Sequence, residues 1–140
     1  MDFCSIASGS SGNCTYTGTD HTALLVDAGV SARQIEKGLK SIDRTATDID
    51  GILVTHEHSD HIKGLGVLSR RYGIPIYGTK GTLNAIANCS SLGTIDAGLY
   101  REIHVDEDFQ VGDVTVHPFE IPHDAAQPSA YRISHEETSV

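Results

Sequence analysis

Two short runs of the chain, Thr22-Ala23-Leu24-Leu25-Val26 and Gly51-Ile52-Leu53-Val54-Thr55, show no alternation between apolar and polar positions. A strand with one face in water alternates with period two, so runs this uniform read as strands covered on both faces. Between them Ser31 can cap a helix in which Ile35, Leu39 and Ile42 recur at helical spacing. The result is a strand, helix, strand unit: a sheet with helices packed on it.

The alternation continues downstream. A helix over about Leu65 to Tyr72, closed by Gly73, precedes a strand at Ile74 to Tyr77 and a helix over about Thr79 to Asn88. Upstream, Phe3 to Ala7 and Asn13 to Thr17 read as short strands flanking a turn at Ser8-Gly9-Ser10-Ser11-Gly12. After Tyr100 the texture changes. Glu102 to Val105, a connection over Asp106 to Gln110, and then Val111 to Phe119 alternate as antiparallel strands do. The expected class is mixed α/β, and 140 residues suit a single domain, 1–140.

Composition excludes several functions. With 39% hydrophobic and 21% charged residues the chain is a folded protein and not a disordered one. No apolar run reaches the roughly 18 residues of a membrane span, and Met1-Asp2-Phe3-Cys4 does not start a signal peptide, so a cytoplasmic protein is expected. A net charge of -9 has the wrong sign for gripping nucleic acid by surface charge alone. A helix-turn-helix DNA binder is disfavoured for the same reason. Cys4, Cys14 and Cys89, odd in number and without CxxC spacing, read as free, mostly buried thiols.

The chemistry lies just past the second apolar run, in Thr55-His56-Glu57-His58-Ser59-Asp60-His61. In an extended segment His56 and His58 point to the same side, so both imidazoles can reach one ion. Asp60 and His61 follow where the chain must turn, and can offer an oxygen and a nitrogen to a second ion beside it. Scattered surface histidines would need separate explanations, whereas one dinuclear site accounts for all four residues at the carboxyl end of a strand. Glu57 points the other way, and a solvated or supporting role is favoured over proton transfer. Gly9-Ser10-Ser11-Gly12 fits neither the GxSxG nor the Gly-Lys-Ser/Thr template, so it reads as a tight turn whose amides could still touch a phosphate. His117 lies six residues before His123, roughly 20 Å along an extended strand, too far to share an ion with it.

His56, His58, Asp60 and His61 match the HxHxDH signature of the metallo-β-lactamase-fold hydrolases, and the chain resembles that superfamily from Phe3 to Ile133. The resemblance implies an αβ/βα sandwich and two divalent metal ions, zinc or manganese. It assigns Asp27, at the end of the first apolar run, to support of the metal ligands, and His123 to the first ion with His56 and His58. Asp60 serves the second ion with His61 and carries the catalytic assignment. Ser8 to Cys14 resembles the start of the YycJ/WalJ-like branch, which implies an exonuclease acting on nucleic acid, with Ser10, Ser11 and Asn13 as candidate phosphate contacts. A lactam, thioester or other ester could use the same activated water, and a closed, non-catalytic metal module is the alternative from another class.

The family pattern also calls for a bridging aspartate and a final histidine further downstream, and nothing suitable lies between His123 and Val140. Asp124 adjoins His123 on the same loop. A strand at about Ser129 to Ile133, with a turn at His135-Glu136, would be answered by a returning strand. The expectation is therefore that residues 1–140 hold the N-terminal half of the sandwich. Such a half would load the second ion poorly and self-associate through the incomplete edge.

Overall fold

The computed structural model describes residues 2–7, 12–57, 59–120, 129–135 and 138–139, with backbone alone for Asp2, Ser59, Asp60, Ser129, His135, Thr138 and Ser139. Two sheets stack on each other. The first has six strands in sequence order: β1 (Asp2–Ala7), β2 (Cys14–Gly18), β3 (Ala23–Val26), β4 (Gly51–Leu53), β5 (Ile76–Gly78) and β6 (Tyr100–Glu102). β1, β2 and β3 pair antiparallel, and β3 to β6 pair parallel. The second sheet is an antiparallel meander of β7 (Phe109–Val111), β8 (Val114–Glu120), β9 (Ser129–His135) and β10 (Thr138–Ser139).

The apolar runs are continuous because β3 and β4 are buried on both faces. Leu25 and Ile52, in register, point to the helices and pack in one cluster with Ile35, Leu39, Leu65 and Leu68. Leu24 and Leu53 point the other way, into the seam between the sheets, with Val111, Val114, Val116 and Ile133. Each such side chain, removed from water, contributes roughly 1.5–3 kcal/mol.

The helices are α1 (Ala32–Lys40), α2 (Ser59–Ile62), α3 (Leu65–Tyr72) and α4 (Lys80–Ala87). At the start of α1 the Gln34 amide donates to Ser31 Oγ while Ser31 N donates to Gln34 Oε1, the reciprocal capping box. α3 stops at Gly73, whose left-handed φ of 65° lets its N–H reach the Ser69 carbonyl. Thr79 caps α4.

The structure corrects several expected boundaries. Ile42 lies in the turn after α1 and still packs on the core. Thr55 and Val54 fall outside β4, freeing them for the site below. Glu102 closes a parallel strand of the first sheet (Tyr77 opposite Arg101) and does not open an antiparallel one; the Ile103 amide adds one more bond to the Gly78 carbonyl. The expected strand Val111 to Phe119 is a hairpin that turns at Gly112-Asp113. Gly112 has φ 58°, and a Cβ there would meet Thr22 Oγ1 at 2.1 Å. This turn is stitched to the first sheet: Thr19 Oγ1 donates to Asp113 and the Asp113 amide donates to Thr22 Oγ1. β9 runs two residues beyond Ile133, and β10 begins the return with Ser139 opposite Ser134. Among the described residues no helix is long and apolar enough to cross a membrane.

Candidate metal centre

Because β3 and β4 are parallel, their carboxyl ends lie at one edge of the sheet, the usual location of ligand sites in α/β folds. Past β3, the Asp27 amide donates to the Leu53 carbonyl at 2.8 Å, and its φ of 63° turns the chain sharply. That left-handed conformation is rare outside glycine, and Asp is among the residues that tolerate it. Past β4, the Val54 carbonyl accepts from the Tyr131 hydroxyl of β9 at 2.6 Å, which ties the second sheet to the segment leading into the histidines.

The short helix α2 brings His61 back against β3. The Ala28 amide donates to the His61 carbonyl at 2.8 Å, and the Gly64 amide donates to the Ala28 carbonyl at 2.7 Å. A Cβ on Gly64 would stand 2.3 Å from the Val30 carbonyl oxygen, so the two segments approach this closely only because position 64 is glycine.

Asp27, 4% exposed, is the hub. Its Oδ1 accepts from the Thr55 amide at 2.8 Å, and its Oδ2 accepts from Thr55 Oγ1 and from His61 Nδ1, both at 2.7 Å. Thr55 Oγ1 also lies 2.8 Å from His56 Nδ1. The His56 and His61 rings sit 3.7 Å apart between centroids, tilted by 42°. These contacts engage Nδ1 of both rings, so a cation met by either ring would be met through Nε2. Two adjacent imidazole nitrogens backed by one buried carboxylate are the donor chemistry of a borderline divalent cation such as zinc.

His58, His123, Ser10 and Ser11 lie outside the described residues, as does the Asp60 side chain; the Asp60 backbone is in α2. Among the described residues no three His, Cys, Asp or Glu side chains are placed to hold one metal ion together. Asn13, half-buried, accepts from the Gly29 amide through its carbonyl at 2.8 Å, which sets the exit of the Gly-Ser segment two residues from Asp27. Glu57 is half-buried, which removes the fully solvated reading. His117 is engaged elsewhere, with Nδ1 2.5 Å from Asp108 and Nε2 3.7 Å from Asp106. Sequence reading passed over Thr55 and Tyr131. A tyrosine alternating with Ile133 on an inward strand face is a usable signal, because its buried hydroxyl must find a partner.

Cys14 lies at 0% exposure on β2, close enough to feel the charge of Asp27. Burial, with the Asp27 carboxylate second, pushes its thiol from an ordinary 9.0 up to about 12, so it is a neutral thiol and not a thiolate ligand at physiological pH. A thiol with a raised folded-state pKa supports folding fully below pH 9.0 and loses that support as pH rises toward about 12. Urea denaturation across this window is expected to show falling stability, by up to about 4 kcal/mol from this group. Cys14→Ala should flatten the slope, leaving the contribution of Tyr77 and Tyr100, whose hydroxyls burial also pushes up. An unchanged slope would remove Cys14 from the account.

A sandwich of two sheets with helices outside and a histidine cluster at the strand ends defines the metallo-β-lactamase fold. The family described as beta-lactamase superfamily domain matches residues 22–140, and the chain belongs to it. It is 45% identical over 131 residues to exodeoxyribonuclease YycJ of Bacillus anthracis, covering 94% of this chain and 49% of that protein. It is 42% identical over 134 residues to exodeoxyribonuclease WalJ of Streptococcus pneumoniae, covering 96% of this chain and 50% of that one. The chain thus spans about half the length of these relatives. Among solved structures, a B3 metallo-β-lactamase with an active-site glutamic acid superimposes with TM-score 0.81 at 15% identity, over 98% of this chain and 56% of that one. The Rm3 metallo-β-lactamase gives 0.79 at 18% identity, over 99% and 56%. Both likenesses concern the fold.

Proposed function

We propose that the protein is a metal-dependent hydrolase that cleaves phosphodiesters, an exonuclease acting on nucleic acid in the cytoplasm. The observation that carries this reading is the Asp27, Thr55, His56, His61 network, which engages Nδ1 of both imidazoles within the protein. The substrate class rests on the similarity to the two exodeoxyribonucleases.

In this proposal His56, His58 and His123 hold a first divalent cation, and Asp60 and His61 hold a second, zinc or manganese. Such cations, when bound, make a water nucleophilic near neutral pH and supply positive charge opposite a phosphate. The chain's part is positional. Asp27 orients His61 and braces Thr55, Asp60 would add a carboxylate ligand and carry the catalytic role, and Ser10, Ser11 and Asn13 would offer polar groups to the phosphate. Local cationic charge in one cleft offsets the net charge of -9 that would otherwise repel a polyanion.

Labelled DNA and RNA incubated with the protein, with manganese, with zinc and with chelator, test this reading, with bound metal quantified in parallel. Loss of label from strand ends that stops on chelation is the expected result. Robust lactam or thioester turnover by metal-loaded protein, with nucleic acid left intact, would overturn the substrate class.

A further inference from the structure

We infer that Thr55 is the positioning residue for His56, holding it as the Nδ1–H tautomer with its lone pair on Nε2. The inference rests on the metal-centre reading above and deepens it, since the hydrogen bonds decide which imidazole nitrogen is able to bind a cation.

A threonine hydroxyl has one proton to donate and lone pairs to accept with. Thr55 Oγ1 stands 2.7 Å from Asp27 Oδ2 and 2.8 Å from His56 Nδ1. A carboxylate oxygen only accepts, so the hydroxyl proton goes to Asp27. Were it turned to His56 instead, lone pairs of Oγ1 and Oδ2 would face each other at 2.7 Å inside a hub that is 4% exposed, where nothing screens the repulsion. With its proton spent, Thr55 Oγ1 must accept from His56, which therefore carries its hydrogen on Nδ1.

His61 reaches the same tautomer by a direct route, donating from Nδ1 to Asp27 Oδ2 at 2.7 Å; its distance to Thr55 Oγ1 is 3.4 Å, too long to compete. One carboxylate thus sets two imidazoles, one directly and one through the hydroxyl. The Thr55 amide on Asp27 Oδ1 locks the intermediary in place. A serine could do the hydroxyl's work, whereas valine, of the same shape, could not.

The test reads the tautomer first, in metal-free protein. Long-range proton–nitrogen NMR at a pH where both imidazoles are neutral should show His56 protonated on Nδ1 in the wild type and in Thr55→Ser. In Thr55→Val it should become a mixture while His61 stays on Nδ1. Zinc affinity, from competition with a chromophoric chelator, should fall about tenfold in Thr55→Val and be restored by Thr55→Ser. Protonation of His56 on Nε2 in the wild type overturns the inference and needs no folded variant; so does a pure Nδ1–H state in folded Thr55→Val. Wild-type protein that shows the expected tautomer yet binds no zinc would refute the metal reading and leave the tautomer assignment standing, so the two failures are distinguishable.

Discussion

Replacing Asp27 with alanine is expected to lower zinc or manganese affinity by about 10- to 100-fold, the usual cost of removing a group that orients metal ligands without touching the metal. The size follows from the number of donors left without an acceptor: the Thr55 amide, the Thr55 hydroxyl and His61 Nδ1 all lose theirs at once. In a site this buried, orphaned donors also destabilise the fold by about 1–3 kcal/mol each where water cannot enter. Asp27→Asn keeps the shape but must present an NH2 to one of those donors, so it should recover part of the stability and little of the affinity. Calorimetric metal titration, with thermal melts of the metal-free variants, separates the two effects. Affinity unchanged in Asp27→Ala would show that His61 and Thr55 hold their places without it.

The His56→Ala, His58→Ala double variant should lose essentially all metal from the first site. Two of its three proposed ligands disappear, and the remaining imidazole of His123 cannot by itself compete with water for a divalent ion. Metal analysis after gel filtration, with circular dichroism to confirm folding, is the measurement. Full metal content in the folded double variant would move the site away from these residues. The variant differs in kind from Asp27→Ala: one removes ligands, the other removes what aims them.

Much of this architecture is legible in local sequence because its signals are short-range. The apolar runs at Leu24 and Leu53 announce strands covered on both faces, Ser31 and Gln34 announce a capped helix, and Gly73 marks where another ends. The spacing of His56, His58, Asp60 and His61 marks the candidate centre, since metal ligation needs several donors of the right type close together. Pairing partners are another matter. The strand near Tyr100 could have begun the second sheet or closed the first, and what decided was its parallel register with β5, a contact across more than twenty residues of chain. The turn at Gly112 was hidden inside an alternating run, and its partners Thr19 and Thr22 lie some ninety positions upstream.

By itself, then, the sequence determined which residue types stand together along the chain: the apolar strands, the helix caps and the cluster of ligand-type side chains after β4. Tertiary structure alone decided how those side chains are aimed. Asp27 and His61 are 34 positions apart, and they meet because parallel β3 and β4 bring their carboxyl ends to one edge while Gly64 lets the returning helix close on the Ala28 backbone. Tyr131, on the other sheet, fixes the carbonyl that leads into Thr55. Propensity and periodicity act over a few residues, whereas hydrogen-bond direction and imidazole tautomer depend on groups that only the folded chain places within 3 Å of each other.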